Sequence, residues 1–173
     1  MEKLKKIVIS IIVAAVCMTA FAGCGTNRKR GPLDVKKVSY LKYSDSDRQV
    51  DFYVITDDYK VLHYSIYPEE GKTYDYFEGE FPSEDKWEVT GYEIDELTWT
   101  SMVNVLTRVN FMELLDEFPA ANVEDGYYYY IRVETSDDVH ESGGYEAGYR
   151  KDPENTRFSK ARQQIEFVLN QAT

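Results

Sequence analysis

Residues 127–134 alternate without interruption. Tyr127, Tyr129, Ile131 and Val133 fall on one side, and Tyr128, Tyr130, Arg132 and Glu134 on the other. A period of two is the mark of an extended strand, because successive side chains leave a pleated backbone in opposite directions. The chain must therefore build a sheet. The apolar side of this strand, ending in Ile131 and Val133, is expected to face the core.

Other segments fall into place around it. Residues 37–43 read as a strand, and residues 49–56 alternate, with Val50, Phe52 and Val54 opposite Asp51, Tyr53 and Ile55. Asp57-Asp58 suits a tight turn, after which residues 60–67 return with Leu62, Tyr64 and Ile66 on one side. Residues 69–91 are polar but carry Tyr74, Tyr76, Phe77, Phe81 and Trp87. They read as a long excursion with room for one short strand. Asp95 is placed to cap a helix over residues 96–108, with Trp99, Met102, Val103, Leu106 and Asn110 on one stripe. Residues 111–118 are expected to continue as a helical turn ended by Pro119. Residues 139–145 form a candidate strand broken at Gly143-Gly144, and Pro153 and Asn155 read as loop. A last helix is expected from Thr156 or Arg157 to Gln171, burying Phe158, Ala161, Ile165, Val168 and Leu169. The order β-β-β-α-β-β-α implies an α+β domain: an antiparallel sheet of about four to six strands with two helices on one face. The other face is then partly in water, unless the excursion covers it.

The first residues follow a different logic. A basic start (Lys3, Lys5, Lys6) precedes an apolar run from Ile7 to about Phe21, and the run ends Phe21-Ala22-Gly23-Cys24. About 20 apolar residues are needed to span a bilayer, so this run is short for a span and fits a signal peptide. The ending resembles the lipobox of bacterial lipoproteins, with Phe21 where Leu is most typical. The resemblance implies cleavage before Cys24 and a diacylglyceryl lipid on its thiol, two acyl chains giving stable attachment. It also implies residence on the extracytoplasmic face of the cell membrane; the outline of the α+β domain, similar to many small exported domains of Gram-positive bacteria, suggests a Gram-positive cell. Where there are two membranes, Gly25 rather than Asp after the cysteine favours the outer one. The competing reading is an ordinary signal peptide cut near Ala20-Phe21-Ala22. On the lipoprotein reading, residues 1–23 are the signal, residues 24–35 a short stem and residues 36–173 one domain. Arg28-Lys29-Arg30 then lies beside the lipid headgroups.

Charge excludes one class of partner. Six of the 20 basic residues and one of the 31 acids precede Gly31. The segment from Gly31 onward therefore carries 14 basic and 30 acidic residues, a net of −16. Such a domain repels polyanions, so no nucleic-acid partner is expected. Of the two cysteines, Cys17 leaves with the signal and Cys24 is acylated, so the domain has neither a disulfide nor a thiol nucleophile.

Catalytic and metal signatures are weak. The two histidines, His63 and His140, fall on separate expected strands, without a nucleophile turn or a metal-binding helix motif. They read as surface or hydrogen-bonded residues, and a zinc site using both stands as a remote alternative. Asp45, Asp47 and Asp51 faintly resemble a calcium loop but lack its central glycine and distal glutamate. No cofactor, metal site or enzymatic activity is expected. The surplus of tyrosine, 15 residues, is what remains. Tyr53, Tyr67, Tyr128 and Tyr130 are expected to face away from the main apolar stripe. There they would offer contact area with a hydroxyl at small entropy cost. The first expectation is a non-catalytic interaction module meeting an envelope protein. The alternative is a domain that binds or hydrolyses cell-wall glycan, and a protease inhibitor is a weaker third. A flat face without a perturbed acid argues for the first. A groove with an aromatic floor and a raised carboxyl argues for the second.

Overall fold

A computed structural model describes residues 31–44, 46 and 49–172. The apolar N-terminal run, Cys24, the basic triplet, Asp45 and Asp47 lie outside them. The described residues form an α+β fold with six strands and two α-helices. The strands are β1 (Val35–Tyr43), β2 (Val50–Thr56), β3 (Lys60–Ile66), β4 (Trp87–Glu93), β5 (Tyr128–Thr135) and β6 (Val139–Tyr145). The helices are α1 (Glu96–Arg108) and α2 (Pro153–Gln171). The sheet order is β4-β3-β2-β1-β5-β6, with every neighbour antiparallel. β1 is thus a central strand, held by β2 on one side and β5 on the other.

Both helices cover one face. α1 begins at Asp95, whose carboxylate accepts from Thr98 N at 2.7 Å. α2 begins at Asp152, which accepts from Asn155 N at 2.9 Å, with Pro153 in the first turn, where its missing N–H costs nothing. Trp99, Met102 and Leu106 of α1 and Phe158, Ala161, Ile165 and Val168 of α2 are buried. They pack on Val38, Tyr40, Ile55, Val61, Ile131 and Val133 of the sheet. Arg157 ties the helices together: its Nε donates to Val109 O at 2.6 Å and its Nη2 to Asn110 O at 2.8 Å. A cation thereby satisfies carbonyls at the C-terminal end of α1. The Tyr40 hydroxyl donates to Glu166 Oε1 at 2.8 Å, fastening the centre of the sheet to α2.

The opposite face is also covered over half its width. Residues 67–86 leave β3 and return to β4 as a loop with a closed neck, Tyr67 N donating to Lys86 O at 2.7 Å. The loop lays Tyr76, Phe77 and Phe81 on Phe52 and Tyr64, with ring centroids 5.2–6.3 Å apart. Leu41, Val50, Phe52, Ile66 and Tyr76 are buried there as a second core.

Three expectations are corrected and one is filled out. The short strand for which the excursion had room is a seven-residue edge strand, β4, so the full order is β-β-β-β-α-β-β-α. Its residues 88–91 are exposed on both faces, so burial left no alternation to read. Only Phe111–Glu113 is a helical turn; beyond it the chain extends and bridges Glu117 to Gly143 in parallel. Gly143-Gly144 does not break β6, whose register with β5 runs on through both glycines. Pro153 is helical rather than loop, so α2 starts three residues before Thr156.

Candidate functional site

The pleat divides the sequence-selected tyrosines between two faces. Tyr53 lies on the helix side, stacked on His63 at 4.2 Å and 8° and packed against the main core. β2 is apolar on both sides, so its alternation alone could not say which side the helices take. Tyr67 follows β3, about half-exposed, with its hydroxyl 3.4 Å from Gln49 Oε1 and away from the other three. Tyr128 and Tyr130 share the face opposite the helices. Tyr128 is sandwiched in a cross-strand ladder, its ring 4.7 Å from Tyr43 and 5.0 Å from Tyr145. Directly paired positions in adjacent strands bring such rings together. The four residues therefore do not form one surface.

What the fold does form is a groove. It lies where the wall of loop 67–86 stops short of β5 and β6. Leu41, Tyr43 and Tyr130 make its floor, with Glu141 on the β6 side. Tyr74, Tyr76 and Phe77 form the facing wall, together with Asp75 and Glu80. Its volume is about 410 Å³, within the roughly 300–1,000 Å³ of small-molecule sites. A smaller cavity of about 200 Å³ continues from it past Thr73 and Tyr74 towards Val50 and Pro68.

Local sequence explains why the wall stands. Asp75 Oδ1 accepts from Phe77 N and Glu78 N, both at 3.2 Å. The turn closes with Gly79 at φ 81°, a left-handed position that favours glycine. Arg132 of β5 reaches across to Glu78 Oε1 at 2.7 Å, its guanidinium 6.0 Å from the Phe77 ring centre. The floor depends on Gly143, which pairs with Tyr130 across β5 and β6. A Cβ there would collide with the Tyr130 ring and stand 2.7 Å from Tyr130 Cα. The missing side chain lets the ring lie over β6.

Electrostatically the groove is one-signed. Among its lining residues there are three carboxylates and no base. Desolvation pushes the Glu141 carboxyl above its ordinary value; Arg132 pulls it down, and Asp75 and Glu78 add to the rise. Burial holds the Tyr76 phenol up at about 12 and also raises Tyr130.

Other candidates stay apart. His63 on β3 and His140 on β6 are separated by three strands, with their nearest carboxylates Asp51 at 2.9 Å and Asp116 at 3.7 Å respectively. Asp51, the described member of the calcium-like run, lies on β2, where its Oδ1 also accepts from Gln49 Nε2 at 3.0 Å. Among the described residues no group of three or more His, Cys, Asp or Glu is placed to hold a metal ion. No described helix is long and apolar enough to cross a membrane. Sequence reasoning found Tyr130 but missed Glu141, Tyr43 and the Asp75–Glu80 wall. No local pattern marked these residues, because the Tyr130–Gly143 pairing that sets the floor comes from the strand register. Comparison with protein families finds no family model that matches the chain, and comparison with curated proteins finds no significant match.

Proposed function

We propose that the chain is an extracytoplasmic protein anchored by lipid on Cys24, and that its domain is a non-catalytic binding module for a component of the cell envelope. The lipobox-like run Phe21-Ala22-Gly23-Cys24 supports the anchor. The observation that carries the binding reading is the groove beside Tyr130. It is a shallow groove open to solvent that combines an aromatic floor with a carboxyl raised by desolvation, the pairing that the glycan-binding alternative calls for. The ligand enters between loop 67–86 and the β5–β6 edge, and the partner is a small or chain-like envelope molecule.

Two measurements test this. Intact mass of the mature protein from membranes should show an N-terminal Cys24 carrying diacylglycerol; an unmodified N-terminus rejects the anchor. Retention on purified cell-wall material should fall sharply in Tyr130→Ala, while a substitution on the far face such as Leu97→Ser leaves it unchanged. Equal retention of all three rejects the groove as the site. A raised carboxyl beside aromatic rings is also what a glycan-cleaving acid needs. Release of reducing ends from wall glycan, lost in Glu141→Gln, would replace the binding reading with hydrolysis.

A further inference from the structure

Resting on the reading of the groove as the binding site, we infer that its ligand presents an organic cation, an alkylammonium or quaternary ammonium group held between tyrosine rings and carboxylates. Three observations converge. First, the polar side chains lining the groove are Asp75, Glu80 and Glu141 besides Thr73 and the tyrosines, and no Lys, Arg or His joins them. Second, the nearby bases are already engaged outside it. Arg132, although beside Glu141, is held by Glu78 at 2.7 Å, and Lys72, which lines the smaller cavity and not the groove, is held by Glu69 at 2.6 Å. The Glu141 side chain makes no hydrogen bond among the described residues, so its carboxylate is open to a ligand, whereas Asp75 Oδ1 is committed to capping its own turn. Third, the remaining surface is aromatic apart from Leu41. The faces of Tyr and Phe rings attract cations through their quadrupole, and aromatic cages are the usual receptor for quaternary ammonium groups.

Alternative ligands fit less well. An anion meets three carboxylates, offset only by Arg132 beside Glu141, whose guanidinium is already held by Glu78. A neutral sugar could stack on the rings but gains nothing from the unbalanced charge. The net −16 of the chain from Gly31 onward adds a long-range field that concentrates cations around the domain. A ligand of this kind has an ammonium head seated near Glu141 and a tail that runs past Thr73 into the smaller cavity.

The test is calorimetric titration of the mature full chain in detergent. The probes are choline, its uncharged isostere 3,3-dimethylbutan-1-ol, 1,5-diaminopentane and a chitin tetrasaccharide. The two cations should bind at least about tenfold more tightly than the isostere. Choline affinity should fall about tenfold or more in Tyr130→Ala and in Glu141→Gln. Raising salt from about 20 to about 200 mM should weaken it further, because the groove is open to water. Circular dichroism of each variant confirms folding, and Glu80→Gln on the exposed wall gives a milder second variant. Equal binding of choline and its isostere, or full choline affinity in Glu141→Gln, overturns the cation. Binding of the tetrasaccharide alone, lost in Tyr130→Ala, overturns the cation but leaves the groove as the site. Binding of no probe rejects both.

Discussion

Gly143 tolerates no side chain. Besides meeting Tyr130, a Cβ there would collide with the Tyr129 carbonyl, and the backbone of Gly143 is bonded outward to Asp116 O at 3.1 Å and from Phe118 N at 2.8 Å. Backbone on both sides leaves nothing flexible to give way. Gly143→Ala should destabilise by about 1–3 kcal/mol in denaturant unfolding, as overpacking does, and should weaken groove binding because the Tyr130 ring must lift. Glu141 makes the opposite trade. Its carboxyl is raised in the folded state, so the folded chain binds more protons than the unfolded one between the ordinary glutamate value of 4.5 and the raised one. Stability contributed by this residue is therefore present at low pH and declines as pH rises through that window. Glu141→Gln should flatten that decline and leave the protein at least as stable at neutral pH, read from the denaturation midpoint between about pH 4 and 7. Tyr40→Phe belongs to the contrary class. It removes the link to Glu166 inside the main core and should cost about 1 kcal/mol.

Among elements, loop 67–86 decides whether a groove exists. It is held by ring contacts rather than by strands, and Phe52 touches Tyr76, Phe77 and Phe81. Phe52→Ala should cost about 3–5 kcal/mol. It should also raise hydrogen exchange across residues 73–80 more than across α1, because the helix layer has its own core. The Arg132–Glu78 tie contributes orientation more than stability, since Glu78 is largely exposed. The same contrast explains which elements were legible. α1 has its stripe, its Asp95 cap and its end at Arg108 written locally, and the helix follows those limits. α2 was legible in its buried face, but Pro153 can open a helix or interrupt one, and only the Asp152 cap settles which. β4 was opaque because its exposed faces carry no period. The path of residues 114–118 depends on a partner across the sheet, β6, that local pattern does not name.

For the whole molecule, the sheet is a partition between two unequal cores. Alternation in β5 assigned its core side correctly, with Ile131 and Val133 fully buried. Alternation in β2 could not rank its sides, because Val50 and Phe52 serve one core and Ile55 the other. That ambiguity scattered the candidate tyrosines and hid the groove, whose parts come from β1, β5, β6 and a loop far apart in sequence. The partition also distributes the chain's two tryptophans, one to each side. Trp99 is in the helix layer, and Trp87 stands against Phe81 and Tyr64 at 5.6 and 5.8 Å. Trp99→Phe and Trp87→Phe therefore yield two single-tryptophan proteins, whose selectively excited indole emission reports from one side of the sheet each. Their denaturation curves, overlaid, would report directly whether the aromatic loop melts with the helices or before them.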